Sequence, residues 1–88
     1  MASYKVTLKR AAIEDLRSLP KNVLGRVQAH LNELADNPQP QGVKKIVGEE
    51  RMYRVRVGDY RIVYDLYPDT QVIDVLFVRH RKDAYRRR

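Results

Sequence analysis

The spacing of apolar positions changes period as the chain is followed from its start. Tyr4, Val6 and Leu8 alternate with Lys5 and Thr7, the two-residue period of a half-buried strand. From about Arg10 the spacing becomes helical, with Ala12, Ile13, Leu16 and Leu19 recurring on one face. Pro20 then breaks or redirects the chain, because its ring clashes with a continuing helix. A second amphipathic helix follows, carrying Val23, Leu24, Val27, Leu31, Leu34 and Ala35 on one face. The run Asn37-Pro38-Gln39-Pro40-Gln41-Gly42 stops it. Two helices joined so closely read as an antiparallel pair.

The second half reads as sheet. Residues 43–47 make a weak strand candidate. Residues 51–57 alternate cleanly, with Tyr53, Val55 and Val57 on one face and Met52, Arg54 and Arg56 on the other. Gly58-Asp59 supplies a two-residue hairpin turn. Beyond it Tyr60, Ile62, Tyr64 and Leu66 continue the apolar face, with Arg61 opposite. Pro68-Asp69-Thr70 forms another turn, and residues 72–78 are apolar on both faces, as in a central strand. Residues 79–88 form a basic tail. The order is β-α-α-β-β-β: an α+β fold, with a helical hairpin packed on one face of a largely antiparallel sheet. No repeat or linker divides the chain, so residues 1–88 are expected to be a single domain.

Composition narrows the function classes. Eighty-eight residues leave no room for a second core, and the 43% hydrophobic content is ordinary for a globular protein. With no cysteine there is no disulfide scaffold, thiol nucleophile or thiolate metal site. The start, Met1-Ala2-Ser3-Tyr4-Lys5, has no apolar signal core, and no run approaches the length of a membrane span. A soluble cytoplasmic protein with no membrane contact is expected. Eighteen Lys and Arg against eleven Asp and Glu give a net charge of +7, an excess that attracts polyanions.

The placement of that charge is more informative than its sum. With a two-residue turn, Val57 faces Tyr60, Val55 faces Ile62 and Tyr53 faces Tyr64, a consistent apolar set. The same register sets Arg56 opposite Arg61 on the other face, with Arg54 one step along. Like charges across a ladder cost several tenths of a kcal/mol. An anion bound between the guanidinium groups would reverse that cost, whereas a purely structural reading leaves the arginines splayed into solvent. A second cluster ends the chain: Arg79, Arg81, Lys82, Arg86, Arg87 and Arg88, interleaved with His80 and Tyr85. Guanidinium groups take phosphate and a ring stacks on a base, which suits single-stranded RNA; the alternative is a disordered solubilising tail. Asp59, Asp65, Asp69, Asp74 and Asp83 are scattered, and Gly42, Gly48 and Gly58 are isolated. Neither a metal site nor a phosphate-binding glycine loop is indicated, and no cofactor is expected.

Residues 53–64, reading YRVRVGDYRIVY, resemble the hairpin of RelE-type toxins, and residues 78–85, reading VRHRKDAY, resemble their carboxy-terminal segment. The Leu19-Pro20 link, the Asn37-Pro38 stop and the Lys44-Lys45-Ile46 segment also fit, so the resemblance to the RelE/ParE superfamily covers essentially the whole chain. It implies a RelE-like fold and a type II toxin that cuts messenger RNA in the ribosomal A site without metal. It also implies an acidic, RelB-like antitoxin as partner, with binding of operator DNA by the toxin–antitoxin complex.

In the implied chemistry a 2′-hydroxyl attacks its own phosphate, which calls for a proton acceptor, a proton donor and positive charge on the phosphorane. Carried over by motif, Arg54 and Arg56 take two basic positions of the hairpin. Arg61 and Arg81 would hold the scissile phosphate, and Tyr85 would stack on a nucleotide or help proton transfer. Arg79, Lys82, Lys44 and Lys45 are the expected RNA-binding cations. Familiar members carry lysine where this chain has Arg54 and Arg56. A guanidinium with a pKa above about 12 is a poor base, though a good phosphate clamp. His80, a side chain of near-neutral pKa, therefore becomes a candidate for acid or base; a backbone-bonded strand histidine is the structural alternative. Two other functions compete: a ParE-type inhibitor of DNA gyrase without nuclease activity, and a non-catalytic nucleic-acid-binding module.

Overall fold

The computed structural model describes residues 3–84 and places elements in the expected order, with one short helix added at the end. Strand β1 is Lys5–Leu8, α1 is Arg10–Ser18 and α2 is Lys21–Asp36. Then come β2 (Lys44–Lys45), β3 (Met52–Val57), β4 (Tyr60–Tyr67), β5 (Val72–His80) and α3 (Arg81–Ala84). The strands form one sheet in the order β1-β5-β4-β3-β2. β1 runs parallel to β5, and the other neighbours are antiparallel.

The alternation read from the sequence decides which sheet face the helices cover. Ala12 of α1 and Val27, Leu31 and Leu34 of α2 meet Val55, Val57, Ile62, Tyr64, Leu66, Ile73, Val75 and Val78 in one core. Ile13 was expected on that face but is 39% exposed, since one residue beyond Ala12 the helix has turned away from the sheet. α1 lies along β5, while α2 reaches β1 and β3. The Tyr4 N–H donates to the Ala35 carbonyl at 2.7 Å, tying the end of α2 to the start of β1. Tyr64 is fully buried and stacks on Tyr53 with ring centres 6.0 Å apart. Its hydroxyl donates to the Pro38 carbonyl at 2.6 Å, which fastens the proline-rich stop to the sheet. Burial, with a smaller contribution from Tyr53, raises the Tyr64 pKa well above the usual phenol range.

Three features depart from the sequence reading. The weak strand at 43–47 shrinks to two residues. β5 continues two residues past Val78, so Arg79 and His80 belong to the sheet, and the expected tail begins as α3. The third is a β-bulge. Val63 pairs with Phe77 but Tyr64 pairs with Val75, leaving Leu76 as an extra residue on β5. An unbulged ladder would set Arg79 across from Tyr60, on the helix side. The bulge inverts this: Tyr60 pairs with His80 and Arg61 with Arg79.

Candidate functional site: an arginine-lined sheet face

The sheet face turned away from the core carries the charge. Arg56 pairs with Arg61, as the turn at Gly58-Asp59 requires, and Arg61 pairs with Arg79. Three arginines therefore stand in a row across β3, β4 and β5. Adjacent strands lie about 4.8 Å apart, so the row spans roughly 10 Å. The next row is Arg54, Val63 and Phe77, and Lys44 of β2 pairs with Arg54 on its outer side. Val63 is 4% exposed and makes an apolar floor beneath the charges.

Lys44, Arg54, Arg56 and Arg61 line one cleft of about 220 Å³, together with Gly42. Among the described residues, every side chain lining it is cationic. Such a hollow, formed by guanidinium groups on paired strands, is built to hold an oxyanion by bidentate hydrogen bonds. It can also stabilise charge that develops on a phosphate in reaction.

The same face changes sign along its length. Toward the β4–β5 turn, Asp65 pairs with Asp74. Asp74 accepts a hydrogen bond from the Thr7 hydroxyl at 2.8 Å and forms an ion pair with Lys9 at 3.2 Å. Burial, then the neighbouring Asp74, raises the Asp65 carboxyl pKa from its ordinary value. A polyanion on this face is thus drawn to the hairpin end and repelled from the other. Arg79 is held where these regions meet α1. Its Nε lies 3.6 Å from Asp15 Oδ2, and its guanidinium carbon lies 4.5 Å from the centre of the Phe77 ring.

The remaining expected residues are not gathered in the cleft. His80 lies on the helix side of the sheet, its ring edge-on to Tyr60 at 5.2 Å, and its Nδ1 accepts the Lys82 N–H at 3.2 Å. The bulge puts it there, on the opposite face from Arg61. Lys45 pairs with Tyr53 and so faces away from Lys44; it borders a separate hollow formed by residues 45–50. Arg81 opens α3 at the hairpin tip, where its N–H donates to the Asp59 carbonyl at 2.7 Å, and both Arg81 and Lys82 are exposed. Tyr85 and Arg86, Arg87 and Arg88 lie outside the described residues. Among the described residues, no three His, Asp or Glu side chains converge as a metal-binding group, and no helix is long and apolar enough to cross a membrane.

Three neighbours of the site were not singled out from the sequence. Arg26 of α2 brings its guanidinium against the hairpin turn, where a Cβ on Gly58 would lie 3.1 Å from Nη2. Asp15 and Phe77 hold Arg79. No spacing in the sequence links α1 or α2 to the far end of the sheet, so the Arg26 and Asp15 contacts follow from tertiary packing, whereas Phe77 and Arg79 lie two apart on β5 and share a face by the strand period.

A family model for the ParE toxin of the type II toxin–antitoxin system, parDE, matches residues 6–85. The chain is 32% identical to the toxin RelE3 of Methanocaldococcus jannaschii, over 92% of this chain and 94% of that one. Its fold is similar to a chain of the archaeal RelE–RelB complex from Pyrococcus horikoshii, with a TM-score of 0.80 and 31% identity, covering 90% of this chain and 96% of the other. It is also similar to a chain of the RelBE2 toxin–antitoxin complex of Mycobacterium tuberculosis, with a TM-score of 0.81 and 27% identity over 91% and 93% of the two chains.

Proposed function

The chain belongs to the RelE/ParE superfamily of type II toxin–antitoxin toxins and is RelE-like in sequence and fold, and from that footing we propose that it is an endoribonuclease that cuts messenger RNA in the ribosomal A site. The observation that carries the proposal is the cleft in which Lys44, Arg54, Arg56 and Arg61 converge. It supplies concentrated, preorganised positive charge where a phosphorane would need it, and no metal ion is required for that task. Arg61, partly buried near the start of β4, holds the scissile phosphate, and Arg81 approaches it from the hairpin tip. Arg54 and Arg56 stabilise the developing charge; as guanidinium groups they do not serve as base. Tyr85 stacks on a nucleotide or assists proton transfer. His80, on the opposite face, is not assigned a chemical role.

The partners follow from the same reading. An acidic, RelB-like antitoxin covers the basic surface and silences it, and the resulting complex binds operator DNA. Ribosome-bound message in the cytoplasm is the substrate, with Arg79, Lys82 and Lys44 adding RNA contacts, so that binding weakens as salt rises. A second reading has one observation in its favour: the matching family model is that of ParE toxins. A ParE-type toxin would inhibit DNA gyrase and leave RNA whole.

Incubating the purified chain with programmed ribosomes separates the two. Cleavage of the message with a 5′-hydroxyl on the downstream product, persisting when added metal is chelated and ribosomal magnesium is controlled, supports the nuclease. A 5′-phosphate product contradicts the mechanism. Intact message together with inhibited gyrase supports the second reading.

A further inference from the structure

Arg79 is held on two sides before any ligand arrives. Asp15 pins its Nε at 3.6 Å, and the same carboxylate oxygen accepts the Val78 N–H at 3.0 Å, so Asp15 is itself fixed to the edge of β5. Phe77 lies under the guanidinium at 4.5 Å and is fixed by its register opposite the buried Val63. The Arg79 side chain is 22% exposed. A lysine could satisfy Asp15 equally well, and an ion pair of this kind contributes little to folding. What lysine lacks is a plane: a guanidinium is flat and can stack on either face, and the Arg79 guanidinium carbon lies 4.5 Å from the centre of the Phe77 ring.

The bulge decides where that plane stands. By inverting the end of β5 it pairs Arg79 with Arg61, their backbones one strand or roughly 5 Å apart, while the Arg79 side chain itself lines a hollow against α1 with Asp15, Tyr60 and His80. Single-stranded RNA is recognised through bases stacked on aromatic rings and guanidinium planes, next to phosphates held by cations. Here both elements come from neighbouring strands, the cleft for phosphate with Arg61 on β4 and the seated arginine for a base on β5.

We infer that Arg79, seated on Phe77 and pinned by Asp15, is a shelf on which one base of the message stacks next to the phosphate held in the arginine-lined cleft. This rests on the RNA-cleaving reading and adds a nucleotide subsite to it. Arg79 contacts the RNA, whereas Phe77 and Asp15 are positioning residues that act through it. Because every base has a π face, the shelf tolerates any base and favours those that stack more strongly.

The test is single-turnover cleavage of ribosome-bound message over a range of toxin concentrations. The parent is compared with Arg79→Lys, Phe77→Leu and Asp15→Asn, with Arg61→Ala as a control for chemistry. Messages carry an abasic nucleotide at each position around the cleavage site in turn. Losing one stacked base should raise the half-saturating concentration about 5- to 150-fold for Arg79→Lys, with a much smaller effect on the maximal rate. The salt dependence should stay, because the charge stays. One abasic position should weaken the parent by a similar factor and add nothing to Arg79→Lys. Asp15→Asn should lose less, and nothing further in the Arg79→Lys background, a non-additivity that a purely structural role would not give. Thermal melts check folding; if Phe77→Leu is unstable, the charge-conserving change Arg79→Lys and the abasic messages carry the result. Half-saturation by Arg79→Lys equal to the parent's overturns the shelf while cleavage stands, as does equal sensitivity of both proteins to every abasic position. A parent chain that leaves the message whole overturns the nuclease reading and the shelf with it.

Discussion

Replacing Tyr64 by Phe removes one hydroxyl and leaves the ring, its full burial and its stacking on Tyr53 intact. What is lost is the 2.6 Å bond to the Pro38 carbonyl, which anchors the loop after α2. A typical intramolecular hydrogen bond contributes about 1 kcal/mol net, and stranding a buried acceptor costs more. Pro38 is half-buried, so water replaces part of the bond, and we expect a loss of about 1–2 kcal/mol. For a domain of this size each kcal/mol shifts the midpoint by roughly 4–8 °C, so the melt should fall by roughly 4–16 °C. The pH dependence adds a second signature. The buried phenol keeps its proton at alkaline pH while the unfolded chain loses it above the ordinary phenol value of 10.0. The unfolded state is therefore favoured as pH rises past that value, and wild-type stability declines there. Tyr64→Phe lacks this contribution, so the gap between the two proteins should narrow above pH 10.0. Thermal denaturation followed by circular dichroism across that range measures both effects. An unchanged midpoint, or a gap that widens with alkalinity, would mean that the Tyr64 hydroxyl does not anchor the Pro38 loop.

Asp65→Asn should stabilise by a few tenths of a kcal/mol at neutral pH, because it removes a like charge opposite Asp74. The raised carboxyl pKa means that the folded state holds this proton longer as pH rises. The gain should therefore fade in acid, and a gain that grew in acid would contradict the assignment. Arg56→Gln should raise the melting midpoint slightly while weakening activity, since it relieves the pairing with Arg61; equal loss of both would argue for a structural role. Gly58→Ala should cost roughly 1 kcal/mol, because Gly58 sits at φ +60, where a side chain is strained. Tyr85→Ala should severely impair cleavage through lost stacking, worth about 1–3 kcal/mol, with no change in antitoxin binding.

Much of this architecture was legible in the alternation of residues. The Gly58-Asp59 turn fixed the hairpin register pair by pair, and with it the placement of Arg54, Arg56 and Arg61 on one face. The bulge was not legible. Val75, Leu76, Phe77 and Val78 are all apolar, so a slip of one residue among them leaves no mark in the pattern. That slip exchanges Arg79 and His80 between faces, which is why the histidine fell on the wrong side and the arginine gained a place in the row. Lys45 missed the cleft because successive residues of even a two-residue strand face opposite ways. Arg26 and Asp15 reach the site only because helices fold back over the sheet, a relation no local spacing encodes.

On the proposed reading, rigidly placed arginines on this face, rather than charge in general, carry the activity. Single-turnover cleavage of A-site message by Arg61→Ala and by a chain lacking residues 86–88 separates the two, with circular dichroism and antitoxin binding as controls for folding. Removing a preorganised donor typically costs on the order of a hundredfold or more in rate, whereas terminal charges contribute only screened attraction. We expect Arg61→Ala to be folded, antitoxin-binding and at least about a hundredfold slower, and the truncated chain to cleave nearly as well as the parent. An Arg61→Ala variant that cleaves like the parent, beside an inactive truncation, would move the functional site from the sheet to the tail.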